Sequence, residues 1–396
     1  MSGVHRHHLA DLQGVARLAV EATLGVTGLT EQLHRTIQLQ PWPVGAARVA
    51  GRTRGITGFV YGCVRGTTRL VGAGLDAALP PIAALLPSGE PSAERDAVVA
   101  ALNGVYGDHL ARSGNPLAIE MQLRHRDRML DARRPAPLHE DWRSRGPRAR
   151  LLLMVHGLCL NDRHWCRNGH DHGEALAEDL GFVPVYLRYN TGLPVAENGR
   201  RLSALIERLL RAWPSGEPGL AAVGHSMGGL VLRSALHHAG RARHAWPRRL
   251  GDCVFLGTPQ HGAPLERAGH WLDRAMDLSP YVAPFTRLGK ARSAGIVDLR
   301  HGNVTRRPGR VVPLPAGVRF HAAAATLCPK RGALADRLLG DGLVPLDSAL
   351  GRHRDPARTL AIPPRRQWIG YGLGHLDLLG SPDAYAQLHA WLARPG

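Results

Sequence analysis

The strongest constraint in this chain is a short apolar run that ends at a glycine-flanked serine and then resumes with helical spacing. Leu220 to Val223 reads as a buried strand, Gly224-His225-Ser226-Met227-Gly228-Gly229 follows, and Leu230 to His238 reads as a helix. Glycines on both sides of the serine let the chain reverse sharply, because they accept backbone conformations and close approaches that a Cβ forbids. A strand, tight turn and helix in this order lift the serine hydroxyl above the sheet at a helix start, which is the geometry of a nucleophile elbow. A bare GxSxG is common by chance. The strand before it and the helix after it give this one its weight.

The elbow sits in a longer alternation. Arg150 to Val155, Val183 to Leu187, Cys253 to Leu256, Val318 to Ala324 and Gln367 to Gly370 read as further strands, with a helix at Leu202 to Trp213. Strands that are apolar on both faces and alternate with helices predict a largely parallel sheet covered by helices, an α/β fold. No internal repeat is visible. A length of 396 residues suits one large α/β domain with an accessory segment.

That segment lies at the amino end. Apolar residues Leu12, Val15, Ala19, Ala22, Val26, Leu29, Leu33 and Ile37 step by three and four, which places them on one helical stripe. Gly25 and Gly28 leave open whether this is one helix or two, since an interior glycine costs about 1 kcal/mol relative to alanine. Ile56 to Leu86 is mostly apolar, but Arg65, Arg69 and Asp76 interrupt it and Pro80-Pro81 would break a spanning helix. Arg133 to Arg150 is rich in Pro and Arg and reads as a linker. The expected division is residues 1–147 as a helical extension and linker, and 148–396 as the α/β domain. The extension either packs on that domain or docks at a lipid interface.

A formal net charge of +18 would suggest a polyanion partner. Only Lys290 and Lys330 are lysines, however, and abundant Arg, Ala, Gly and Pro resembles the coding bias of a GC-rich bacterial genome. No nucleic-acid-binding motif accompanies the charge, so no nucleic-acid partner is expected; a basic face toward anionic lipid stays open. The five cysteines (Cys63, Cys159, Cys166, Cys253 and Cys328) are scattered and odd in number, which argues against a disulfide framework, and Cys159 and Cys166 are expected to be buried free thiols. His164, His170, Asp171, His172 and Glu174 lie within eleven positions but match no familiar zinc or calcium spacing, so no metal is expected. The amino terminus lacks the uninterrupted apolar core of a secretory signal. A cytoplasmic chain, with peripheral membrane contact left open, is the expectation.

GHSMGG resembles the elbow of lipases and esterases of the α/β-hydrolase superfamily. The resemblance spans roughly Arg148 to Trp391 and includes His156-Gly157-Leu158 after one buried strand, Gly257-Thr258-Pro259-Gln260-His261-Gly262 after another, and Gly340-Asp341-Gly342-Leu343-Val344-Pro345. Arg188-Tyr189-Asn190-Thr191-Gly192 is similar to bacterial lipase-like proteins that carry an amino-terminal helical extension.

A serine hydroxyl becomes a competent nucleophile only when a base within reach removes its proton, and in this fold the partners follow in the order Ser, acid, His. The resemblance implies Asp341 as the acid, with Asp336 and Asp347 as alternatives. Of the histidines that follow it, His353 comes too soon for a strand to intervene and His389 sits in the terminal helical stretch, which leaves His375 as the base. His225 and His261 read as packing residues. The resemblance further implies the backbone N–H groups of Leu158 and Met227 as the oxyanion hole, an ester or lipid substrate, and no cofactor. Residues 263–315 form either a cap or lid over the site or ordinary packing helices. An acyltransferase or thioesterase with the same triad is the rival within enzymes, and an inactive membrane-associated hydrolase-fold protein the rival outside them; the oligomeric state is open.

Overall fold

The computed structural model describes residues 4–39, 61–62, 64–71, 73, 93–263, 293–330 and 340–393. The chain divides into two compact units, one of residues 1–92 with 112–117 and one of 93–111 with 118–396. The boundary expected at 147/148 therefore falls inside the larger unit.

In the smaller unit, helix α1 runs unbroken over Val4–Leu39, so neither Gly25 nor Gly28 divides it. Leu12 and Val15 of its apolar stripe are exposed. Arg17 donates to Gly114 O at 3.1 Å and Asn115 Nδ2 to Gly14 O at 2.9 Å, which ties the helix to residues 112–117 of its own unit. The apolar run from 56 to 86 lies largely outside the described residues, and those within it that are described are helical. Among the described residues no helix is long and apolar enough to cross a membrane.

The larger unit is an eight-stranded, mostly parallel sheet flanked by helices. Its strands are β1 (Gln122–His125), β2 (Arg128–Leu130), β3 (Arg150–Val155), β6 (Phe182–Arg188), β7 (Gly219–His225), β8 (Leu250–Leu256), β9 (Arg319–Thr326) and β10 (Gln367–Tyr371). They lie in the order β10-β9-β8-β7-β3-β6-β1-β2, while the short β4 (Cys166–Arg167) and β5 (His170–Asp171) pair separately. Every pairing from β10 to β6 is parallel. All six strands expected from sequence are present, each at or within a few residues of its expected bounds.

The central strands have two buried faces. Leu151, Leu153 and Val155 of β3 face one cluster, joined by Leu202 and Ile206 of helix α5 (Val195–Arg211) and by Leu230 and Val231 of helix α6 (Met227–Ala242). Leu152 and Met154 face the other, with Leu176 of helix α4 (His172–Leu180) and Trp391 of helix α9 (Pro382–Leu392). Each such side chain contributes about 1.5–3 kcal/mol through burial, and burial on both faces is why these strands read as continuous apolar runs.

Two strands and two helices of this unit are absent from the sequence reading. Strands β1 and β2 form an antiparallel hairpin that extends the sheet beyond β6. Helices α2 (Ala93–Arg112) and α3 (Ala136–Ser144) belong to the same unit, so the expected linker at 133–150 holds a helix. Leu138 of α3 is fully buried and Trp142 Nε1 donates to Ala149 O at 2.9 Å, which anchors this Arg- and Pro-rich stretch.

At the amino ends of the strands Asp252 is completely buried. It accepts two bonds from the Arg319 guanidinium, at 2.8 and 2.7 Å, and one from His321 Nε2 at 3.0 Å, with Arg150 at 3.6 Å. Burial acts to raise its carboxyl, but the bonds from His321 and Arg319 outweigh burial and hold it below its ordinary 3.8. A lowered carboxyl adds stability above its ordinary value and loses that contribution as pH falls through the lowered one. Asp252→Asn should therefore destabilise the fold at pH 7, by up to about 3 kcal/mol, because it removes the buried carboxylate from the partly exposed Arg319 and the buried His321. Urea unfolding at descending pH should show the gap between wild type and variant closing only below 3.8; a gap independent of pH would refute the assignment.

Candidate active site

Ser226 follows β7 directly. Its N–H donates to Leu256 O at 2.8 Å, continuing the β7–β8 ladder by one bond. The backbone then turns to φ 55°, ψ −123°, and α6 begins at Met227. A non-glycine residue at positive φ is strained, and such strain persists only where packing over-determines it. Here a Cβ on Gly228 would collide with Val155 O, and one on Gly224 would stand 2.6 Å from Gly229 N. The helix thus seats against the strands where no side chain fits. The elbow expected from GHSMGG is present.

Asp341 stands between Gly340 at φ 53° and Gly342 at φ 91°, in a loop that follows β9. Its Oδ1 accepts from Leu343 N at 2.9 Å and Val344 N at 2.7 Å, while Oδ2 meets His375 Nδ1 at 2.6 Å. His375 N also donates to Asp341 O at 3.1 Å. Because a carboxylate only accepts, Nδ1 carries the proton and the Nε2 lone pair is left as the basic one. Both residues are buried.

The alternatives place differently. Asp347 lies in the first turn of the short helix α8 (Leu346–Ala349), with its side chain half exposed and 4.0 Å from Arg352. Asp336 lies outside the described residues. His353 is tied to a local turn, where its Nδ1 accepts from Asp355 N at 3.0 Å, and His389 lies on α9.

The remaining partners surround this pair. Gly257, at φ 61° after β8, lies so close to the His375 imidazole that a Cβ would stand 3.2 Å from Cε1. The His225 ring centroid is 4.8 Å from that of His375, and His225 Nε2 donates to the His375 carbonyl at 3.2 Å. Burial, and then the neighbouring His375, push His225 well below its ordinary value, so it stays neutral. Ser226 Oγ is buried and has no hydrogen-bond partner. The structure thus joins Asp341 to His375 and brings His225, the residue before Ser226, against His375, without a hydrogen bond between Ser226 and His375.

The loop carrying Leu158 is fixed from two sides. Tyr189 Oη donates to His156 O at 2.8 Å, with the rings stacked at 4.5 Å, and Cys159 N donates to Thr191 Oγ1 at 3.2 Å. From below, α2 presses Gly104 against Cys159, where a Cβ would overlap the thiol. Burial pushes that thiol up to about 12 and His156 down to about 4, so both are neutral at pH 7. Leu158 lies close to the serine: a Cβ on the preceding Gly157 would stand 2.9 Å from Ser226 Cβ. Met227, as the first helical residue, has no carbonyl four residues back for its N–H.

Sequence reasoning missed α2, Tyr189 and Thr191 as supports of this loop. Their signal was Arg188-Tyr189-Asn190-Thr191-Gly192 directly after a strand. Arg188 pairs with Asp162 and, at 2.9 Å, with Asp96 of α2, and Asn190 Nδ2 donates to Gly107 O of α2 at 2.8 Å. One correction concerns the thiols: Cys159 is buried, whereas Cys166 is exposed. His170 and His172 meet each other at 2.9 Å, and Asp171 caps α4 by accepting from Gly173 N and Glu174 N. The expected cap at 263–315 lies mostly outside the described residues; within it, Ala294–His301 forms helix α7.

The sheet order, the strained turn between β7 and α6, and site residues all leaving the carboxyl ends of parallel strands define an α/β-hydrolase fold. A model for a domain of unknown function (DUF7379) matches residues 120–295. Among solved structures, the mature lipase of Bacillus licheniformis aligns at 16% identity over 63% of this chain and 94% of its own, with a TM-score of 0.42. A lipase-esterase related protein from Clostridium acetobutylicum aligns at 10% identity over 69% and 100%, with a TM-score of 0.36. An esterase of Pyrococcus furiosus aligns at 13% over 62% and 81%, with a TM-score of 0.37. A search of curated proteins found no match.

Because Gly157 holds its loop at contact distance from Ser226, Gly157→Ala should cost about 1–3 kcal/mol of stability through overpacking. It should also slow fluorophosphonate labelling of Ser226 at least tenfold. Wild-type labelling in the folded variant would show that the loop does not set access to the serine.

Proposed function

We propose that this chain is a serine-dependent carboxylic ester hydrolase. The reading rests on the Asp341 Oδ2 to His375 Nδ1 contact of 2.6 Å, taken together with a serine held at φ 55°, ψ −123° in the turn between β7 and α6. Ser226 Oγ attacks the ester carbonyl while His375 Nε2 takes its proton. Asp341 keeps the imidazole in that tautomer and stabilises the imidazolium that forms. The amides of Leu158 and Met227 hold the developing oxyanion, each contributing about 3–4 kcal/mol toward the barrier. Collapse of the tetrahedral intermediate expels the alcohol, which leaves with the His375 proton. Water, deprotonated by the same nitrogen, then cleaves the acyl-serine and releases the acid. The preformed support of the Leu158 loop by Thr191 and Tyr189 favours this reading, since an oxyanion hole acts only if its donors are fixed in advance. No cofactor enters these steps.

Ser226→Ala should abolish both turnover of p-nitrophenyl esters and fluorophosphonate labelling, and Asp341→Asn should lower turnover by several orders of magnitude with the fold intact. Circular dichroism checks the fold. Retained turnover in folded Ser226→Ala, or a larger loss from Asp347→Asn than from Asp341→Asn, would overturn the assignment.

A further inference from the structure

Helix α6 carries a second feature, two turns beyond the serine. A cavity of about 360 Å³ opens between its carboxyl-terminal half and the segment that precedes β9. Arg233, His237 and Arg241 line one wall, at every fourth residue of the helix, with Leu236 between them; Val312 and Leu314 line the other. Arg233 forms the buried end and Arg241 the exposed mouth. At a rise of 1.5 Å per residue, Arg233 lies about 10 Å along the helix from Ser226.

The charge here is uncompensated. Arg233 is 6% exposed, yet its bonds go to neutral groups: Gln260 Oε1 at 2.9 Å, Gln260 O at 3.3 Å and Val312 O at 3.2 Å. Its Nε is buried with no partner. Burial lowers its guanidinium to about 10, so it remains cationic at neutral pH. Arg310 and Arg241 lie close enough to act on His237. Among the described residues no carboxylate pairs with Arg233, Arg241 or Arg310. Among the described residues other well-buried guanidinium groups face carboxylates, Arg65 meeting Glu31 and Arg188 meeting Asp96. A buried cation that lacks a counter-ion is costly, and an anion entering the cavity would offset that cost.

We propose that this cavity is a binding site for a small organic carboxylate with an apolar tail. The carboxylate meets the planar donor edge of Arg233, a geometry that guanidinium matches well, and the tail lies against Leu236, Val312 and Leu314. The site is separate from the triad and does not rest on the ester-hydrolase reading.

Calorimetric titration of the full chain with sodium hexanoate tests it, with 1-hexanol and inorganic phosphate as companion probes. Hexanoate should bind once per chain, at least tenfold more tightly than hexanol or phosphate. Arg233→Gln should weaken it at least tenfold. Because Arg233 also holds the Gln260 loop, a second variant leaves it in place: a Cβ at Gly240 meets open space, so Gly240→Phe fills the cavity on an intact helix. Hexanoate binding should be lost in that variant. Absence of hexanoate binding to the wild type, undiminished binding to Gly240→Phe, equal affinity for hexanol, or tighter binding of phosphate would each overturn the proposal.

Discussion

The seating of helix α6 against strand β3 is the constraint on which the rest of the site depends. A side chain at Gly228 would meet the carbonyl of Val155, so helix and strand approach to a distance open only to glycine. That approach holds Ser226 at a backbone angle it would not keep by itself. In-register pairing spreads the effect outward. Val155 pairs with both Gly224 and Leu187, and His225 with Leu256, so β6, β3, β7 and β8 end within a residue of one another; β9 and β10 end as a pair, Thr326 on Tyr371, three residues beyond the Leu256–Ala323 pair, and the loops share one edge. The serine, the acid, the histidine and the Leu158 loop all leave from that edge.

The same residue pair occurs at opposite edges of the sheet. At the amino ends Asp252 meets His321 and Arg319, and every oxygen is committed to a clasp between strands. At the carboxyl ends Asp341 meets His375 and two backbone N–H groups, with no guanidinium among its bonds. What separates the two is position relative to the strand ends.

What could be read from the sequence followed from burial on two faces. Apolar runs such as Leu151 to Val155 marked the parallel strands, and the glycines around Ser226 and Asp341 marked turns that a Cβ would forbid. Even Ala322 to Ala324, three residues with the highest helix propensity, read as a strand from their place after Val318 and are one, because sheet neighbours on both sides override local preference. The hairpin of β1 and β2 was illegible for a stated reason. Its two turn residues, Arg126 and Asp127, both take positive φ without a glycine or asparagine to announce it. Helix α2 was invisible as part of the site because its contacts are to residues far along the chain. The charge at Arg233 passed as one arginine among many, since composition says nothing of which guanidinium lacks a counter-charge.

Those distant contacts set the order in which the site can assemble. Gly107 meets Asn190 across 83 positions, Ser293 reaches Gly104 across 189, and His225 reaches the carbonyl of His375 across 150. Such closures carry loop entropy that local helices do not, and folds dominated by them form slowly. During synthesis α2 leaves the ribosome long before the loops it supports exist, and its small-residue face at Gly104 and Gly107 must wait for Cys159 and Asn190 to arrive. Because His375 follows His225 by 150 positions, a ribosome-bound chain carries the serine elbow before it carries His375.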